Sequence, residues 1–322
     1  MDFPNCIRAY WFLIPSQVDV GEGEQARAVL DAVLYHCYRI ICGCYMGRVV
    51  PMSLKKLANM VKKEQKANNK TPEELFVAVL DKFLTGRDNK RSGRLAFNPS
   101  SYYKCGRMQF YKLTEQPAKK KRYPRSERIL DVGTQLHEWV QTQVLMKMDG
   151  DDNSTIKLIP LEELPTYGAE GIEWIKEHNA PPMEVKFVDN RWTKKFPISA
   201  MVDGALTFMN KDILFEFKTI NPTDYEKIIE PLKDHLKQGA IYCLGTGTKY
   251  VMFLYLNKGN QEWKAYMVEY RQEQLDWVVA RITTIEDYVI RGELPPKEES
   301  ANCKYCEFKY LCDADIKEPK KK

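Results

Sequence analysis

The chain has 322 residues, 44% of them hydrophobic and 29% charged, with 17 Gly and 17 Pro; this ordinary globular composition excludes a collagenous, disordered or repeat-only protein. Its 49 Lys and Arg against 44 Asp and Glu leave a net charge of +5, which on its own is weak evidence for an anionic partner. No run reaches the roughly 18 apolar residues of a membrane span, and the start, with Asp2 and a short apolar stretch at Tyr10–Pro15, lacks signal-peptide features, so a cytoplasmic (intracellular) protein with no membrane partner is expected.

Residues 1–94 read as a helical N-terminal region. Val29, Leu30, Val33, Leu34, Cys37, Ile40 and Ile41 recur at helical spacing and predict a helix over Glu24–Cys42. A second is expected over Ser53–Lys63. A third opens on Thr71 as N-cap, with Pro72 at the first helical position and Glu73 and Glu74 in the first turn, and stops near Gly86. The polar stretch from Gly86 to Arg94 reads as a linker. Lys119–Arg122 with Arg125, and the tail ending Lys320–Lys322, are basic runs for which a solvated loop and an anion contact both stay open.

A further helix is expected over residues 128–148. From Met183 the pattern turns to strands, at Glu184–Val188, Phe196–Phe208 and Ile213–Ile220, then a helix at Leu232–Leu244. Strands at Tyr250–Leu256 and Ala265–Tyr270, a helix at Gln272–Ile290 and a loop at Pro295–Pro296 complete the order. Strands interleaved with helices predict an α/β fold, a central mixed β-sheet flanked by helices.

The sharpest constellation is Asp203 followed by Glu216-Phe217-Lys218. Side chains alternate along a strand, so Glu216 and Lys218 share a face and Phe217 points to the other layer. If Asn210 and Lys211 are the central residues of a turn at Met209–Asp212, Asp203 falls opposite Lys218 and diagonal to Glu216. A one-residue slip would throw it to the other face. An exposed surface ion pair is the ordinary alternative. Against it, Ile198, Ala200, Val202, Ala205, Ile213, Leu214, Phe215 and Ile220 make both strands apolar, and charge is expensive there. Carboxylate oxygens suit magnesium or manganese, and a lysine beside such an ion can orient or deprotonate a water for attack on phosphorus.

Gly133-x-x-x-His137, Asp203, Glu216-x-Lys218 and Gln238-x-x-x-Tyr242 stand in that order. Together they resemble the PD-(D/E)XK nuclease superfamily in its RecB-type exonuclease branch, which has a restriction-endonuclease-like fold. Met201-Val202-Asp203-Gly204 lacks the proline often written before the aspartate and matches the apolar-Asp-Gly form of that branch. The resemblance implies that His137, Asp203, Glu216 and the Phe217 carbonyl coordinate Mn(II) or Mg(II). It implies that Lys218 positions the hydrolytic water, and that Gln238 and Tyr242 lie beside the site. The nitrogen ligand favours manganese. Glu184 is a secondary candidate, with an edge-strand surface acid as the alternative.

Nine cysteines are an odd number in a reducing compartment and argue against a disulfide framework. Cys6, Cys37, Cys42, Cys44 and Cys243 sit in apolar surroundings and read as small buried hydrophobes. His36 with Cys37, Cys42 and Cys44 also reads as core rather than as a metal site. Cys303-x-x-Cys306-x5-Cys312 is a compact thiolate group that needs a fourth ligand, for which Cys105 is the candidate. Four thiolates fit either tetrahedral zinc or an iron–sulfur cluster. One cysteine before the nuclease motifs and three after them resembles the iron–sulfur RecB-like nucleases, which include CRISPR-associated exonucleases and the AddB nuclease domain. That resemblance implies a structural [4Fe–4S] cluster clipping the ends of a nuclease domain over residues 95–315, with 316–322 a basic tail.

Gly245-Thr246-Gly247-Thr248-Lys249 follows a helix and precedes a strand, the wrong order for a phosphate loop, and reads as a turn. Tyr102, Tyr103, Phe110 and Tyr111, interleaved with Lys104, Arg107 and Lys112, either stack bases or pack around the thiolates. The function expected is a metal-dependent DNA exonuclease preferring single-stranded ends, in recombination, repair or DNA processing. The alternative is a non-catalytic DNA-binding subunit that retains the fold. For residues 1–94 a DNA-guiding lid, a module docking a helicase or recombination partner, and a homo-oligomerisation arm all stay open.

Overall fold

Two segments are apolar on both faces, and their burial decides the architecture. Ile213, Leu214, Phe215 and Phe217 in one, and Val251, Phe253, Tyr255 and Leu256 in the other, are all buried, as strands covered by helices on both sides must be. A computed structural model describes residues 71–86, 94–119, 123–164, 171–176 and 183–315. The helices expected at 24–42 and 53–63, the linker residues 87–93, basic residues 120–122, the tail, His36, Cys6, Cys37, Cys42 and Cys44 lie outside the described residues. The chain divides into two units, Met1–Leu75 and Phe76–Lys322.

The described helices are α1 (Pro72–Gly86), α2 (Gly106–Leu113), α3 (Pro124–Trp139), α4 (Met146–Asp149), α5 (Pro222–Glu226), α6 (Lys233–Thr246), α7 (Gln272–Arg291) and α8 (Lys309–Asp315). Thr71 caps α1 as expected: its hydroxyl accepts the Glu74 N–H at 3.4 Å, and the Glu74 carboxylate accepts the Thr71 N–H at 3.1 Å. The strands are β1 (Lys157–Leu158), β2 (Ile172–Lys176), β3 (Val185–Asp189), β4 (Ile198–Val202), β5 (Gly204–Phe208), β6 (Lys211–Ile220), β7 (Tyr250–Asn257) and β8 (Trp263–Glu269). Among the described residues no helix is long and apolar enough to cross a membrane.

A five-stranded mixed sheet has the order β1-β5-β6-β7-β8, and a three-stranded antiparallel sheet the order β2-β3-β4. Only β6 and β7 are parallel, and α6 is the crossover between them, as parallel neighbours require. One face of the larger sheet carries Leu214, Val251, Phe253 and Tyr255 against Ala240, Ile241 and Leu244 of α6 and Val278, Ile282 and Ile285 of α7. The other carries Ile213, Phe215 and Phe217 against Leu136, Val140 and Leu145. Gly247, in left-handed backbone at φ 75°, ends α6, so of the stretch expected to be a turn Gly245 and Thr246 are helical and Gly247–Lys249 makes the turn into β7.

Three differences from the sequence reading matter. The single strand expected over Phe196–Phe208 is two, β4 in one sheet and β5 in the other, with Asp203 at the bend where the chain changes sheet. The turn after β5 centres on Met209 and Asn210, both in left-handed backbone at φ 51° and 58°, because a two-residue hairpin loop of that form matches strand twist. Phe208 therefore pairs Lys211, and Gly204 pairs Phe215. Continuing that register sets Asp203 level with Glu216, not Lys218. The displacement is two residues, an even number, so the face is unchanged. Finally, the helix expected over 128–148 starts at Pro124 and passes through a π-helical turn at Val140–Leu145.

Candidate active site

The pairing of β5 with β6 ends at Gly204 and Phe215, which leaves the Phe217 N–H beyond the ladder. The Asp203 side chain supplies its acceptor, Oδ2 at 2.8 Å. The same oxygen lies 3.3 Å from Nδ1 of His137 on α3. The Asp203 carbonyl accepts from Nε2 of Gln141 at 2.9 Å, so α3 and the π-helical turn after it hold the aspartate from two sides. Gln141 escaped the sequence reading, although it lies four residues after His137, the spacing that puts side chains on one helix face. Turns of this wide kind often occur at functional sites.

Glu216 sits mid-strand on β6, 1% exposed. Its Oε1 takes the Lys218 ammonium in a close ion pair and the Gln238 amide at 2.8 Å. Gln238 also donates to the Tyr242 hydroxyl at 2.6 Å, and Tyr242 donates to the Met201 carbonyl at 3.0 Å. The two α6 residues thus brace Glu216 against β4. Glu216 Oε2 is buried and has no hydrogen-bond partner among the described residues. Lys218 lies level with Tyr255 of β7, whose hydroxyl meets Nδ1 of His235 at 2.8 Å and accepts the Leu232 N–H at 3.2 Å. Tyr255 and His235 gave no signal in the sequence, because a tyrosine in an apolar strand reads as core.

The charges are strongly interdependent. Burial pushes Glu216 up to about 7, against the pull of the Lys218 ammonium and with the push of the Asp203 carboxylate. Burial also acts to raise Asp203, but the His137 contact, the Lys218 charge and the Phe217 N–H together hold it below the usual carboxylate range. For His137 and Lys218 burial acts downward and is outweighed, by Asp203 in the first case and Glu216 in the second, so both stand above their ordinary values. Glu184, just ahead of β3, is level with Asp203 when the Val185–Val202 register is continued.

The four cysteines are also neighbours. Cys105 is the N-cap of α2, Cys303 lies in a 3-10 turn at Ala301–Tyr305, Cys306 follows it, and Cys312 is on α8. Burial raises the Cys306 thiol, and Cys312, Cys105 and Cys303 each add to the rise by their charge. Their segments are joined by polar contacts: the Gly106 N–H donates to Glu298 at 3.2 Å, and Arg281 donates to both Glu298 and the Lys104 carbonyl. Phe110, Tyr111 and Phe308 pack as one cluster beside Cys306 and Cys312. Of the two roles open for the 102–111 aromatics, Phe110 and Tyr111 thus pack beside the thiols, whereas Tyr102 is fully buried in the main core.

Among the described residues no group of three or more His, Cys, Asp or Glu side chains stands where it could hold a metal ion. The donor chemistry nonetheless fits. An orphaned carboxylate oxygen beside a second carboxylate and an imidazole suits a divalent ion of the magnesium or manganese kind, and four thiols suit zinc or an iron–sulfur cluster.

Three of the solved structures that match are the following. SSO0001 aligns with a TM-score of 0.41 at 14% identity, over 83% of this chain and 98% of its own. The alkaline exonuclease LHK-Exo from Laribacter hongkongensis aligns at 0.36 and 12%, over 69% and 94%. LHK-Exo in complex with dAMP aligns at 0.35 and 12%, over 69% and 94%. No protein-family model and no curated protein matches the sequence. Scores this low leave the chemistry to be read from the geometry of this chain.

Proposed function

We propose that the protein is a metal-dependent DNA exonuclease of the PD-(D/E)XK, RecB-type kind, which hydrolyses phosphodiester bonds at single-stranded ends. The observation that carries this reading is the buried Oε2 of Glu216, left without a partner beside Asp203 and Lys218. A buried polar atom without a partner costs roughly 1–3 kcal/mol, and a bound cation supplies the partner. Asp203, Glu216 and His137 are the side chains that would hold Mn(II) or Mg(II). The Phe217 carbonyl would join them, because N–H and C=O of one strand residue point to the same flank and its N–H faces Asp203. Such an ion, when bound, acidifies a water and offsets charge on the phosphate.

The residues of this chain do the rest. Lys218, held by Glu216, keeps an ammonium donor at the open side of the pair, where it orients a water for in-line attack. Gln238 and Tyr242 fix the Glu216 carboxylate, and Gln141 and the Phe217 N–H fix Asp203, so the donor set is rigid before substrate arrives. Cys105, Cys303, Cys306 and Cys312 would hold a [4Fe–4S] cluster as a structural staple.

The test is incubation of end-labelled single-stranded and duplex DNA, each also blocked at one end, with manganese, magnesium or EDTA. Mononucleotide release from unblocked single strands is expected with either metal and not with EDTA. Lys218→Ala should slow it by roughly 10²- to 10³-fold, the usual worth of one positioned hydrogen-bond donor. No release by either protein with broad visible absorbance intact would instead favour a DNA-binding subunit without catalysis, and equal release by both would take Lys218 out of the reaction. A colourless, zinc-containing protein would replace the cluster by zinc.

A further inference from the structure

Trp139 closes α3 and Trp263 opens β8. Their indoles stack at 6.0 Å between centroids and 26° between planes, yet each keeps 42% of its surface exposed. Tryptophan is highly buried on average, and a stacked pair left this open is surface held ready for another flat ring. The pair lies on the Phe217 face of the sheet, opposite Glu216 and Lys218, and is linked to the candidate active site through His137, which reaches Asp203. Trp263 rests on Phe217 at 6.1 Å, and Phe217 meets the His137 ring at 4.9 Å. Ring contacts through the buried Phe217 therefore link the imidazole beside Asp203 to two exposed indoles. The aromatics at 102, 110 and 111 are buried and cannot serve an incoming strand in this way.

We propose that Trp139 and Trp263 form a stacking platform for an unpaired base of the DNA strand whose phosphate lies at Asp203 and Glu216. This rests on the deoxyribonuclease reading above and gives it a physical origin for single-strand preference. Every base has a π-face, so the platform is indifferent to sequence. In a duplex those faces are covered by neighbouring pairs, and the platform has nothing to hold until an end frays.

Binding is measured in EDTA, where cleavage plays no part, on the full chain with a short oligothymidylate and a blunt duplex of equal length. Stacking should quench indole emission on addition of the oligothymidylate. Trp139→Ala and Trp263→Ala should each raise its Kd roughly 5- to 150-fold, the range that one lost base–aromatic stack gives. Trp139→Phe and Trp263→Phe, which keep a flat ring, should recover most of the affinity while losing that part of the quench. They also carry the test if an alanine variant fails to fold. Unchanged oligothymidylate affinity in both natively melting alanine variants, or an equal loss for the blunt duplex, would overturn the platform. The nuclease reading fails separately: a wild type that binds with quenching yet releases no nucleotide in manganese keeps the platform and loses the activity.

Discussion

Glu216 is a carboxylate with two oxygens in opposite situations, one held by an ammonium and an amide and the other buried with no partner. A fold built for stability alone would put an apolar side chain there, since a buried ion pair rarely outperforms good packing. His235 is the quieter neighbour, and its titration is readable. Burial, then the Lys218 charge, hold it down at about 4 against an ordinary 6.5. Between those values the unfolded chain binds the proton and the native state does not. Stability is therefore fullest above pH 6.5 and falls as pH drops towards 4. Denaturant unfolding across that window should show a shallower pH slope in His235→Asn than in wild type; identical slopes would mean that His235 takes up its proton normally in the folded protein.

At the level of elements, α6 sets the site by how closely it lies on the sheet. Gly239, next to Gln238, has no room for a Cβ: one added there would run into Tyr270 and the Phe253 ring. Gly239→Ala gains up to about 1 kcal/mol of helix propensity and loses more through overpacking, whose cost is typically about 1–3 kcal/mol. A lower melting temperature is expected, together with weaker cleavage because Gln238 and Tyr242 are pushed off Glu216. An unchanged or raised melting temperature would show that α6 is free to shift. The elements also show what local sequence can encode. The placing of Asp203 level with the Glu216–Lys218 face was legible because strand alternation has period two and a one-residue shift of the turn moves the register by two. The change of sheet at Asp203 was not, because the apolar pattern of Ile198–Phe208 runs through it without a break. Gln141 was legible in principle from its spacing after His137. The stacking of Trp139 on Trp263 was not, since it joins positions far apart in the chain.

Across the whole molecule, residues near both ends of the 95–315 stretch meet. Cys105 at the head of α2 comes to Cys303, Cys306 and Cys312 through the Glu298 and Arg281 contacts and the Phe110–Tyr111–Phe308 cluster. Spacing revealed three of these cysteines as a group, while the fourth rested on elimination and resemblance, because nothing local ties Cys105 to the C-terminal turn. The sheet between these ends carries the carboxylates, and the account depends on whether they share a cation. Manganese binding to protein freed of divalent ions but with its thiolate-bound group intact, followed by electron paramagnetic resonance, addresses this without any substrate. The wild type should bind Mn(II), and Asp203→Asn and Glu216→Gln should each weaken that binding at least roughly ten-fold, since each removes a charged oxygen ligand. Manganese held equally well by all three proteins would contradict a shared site at Asp203 and Glu216.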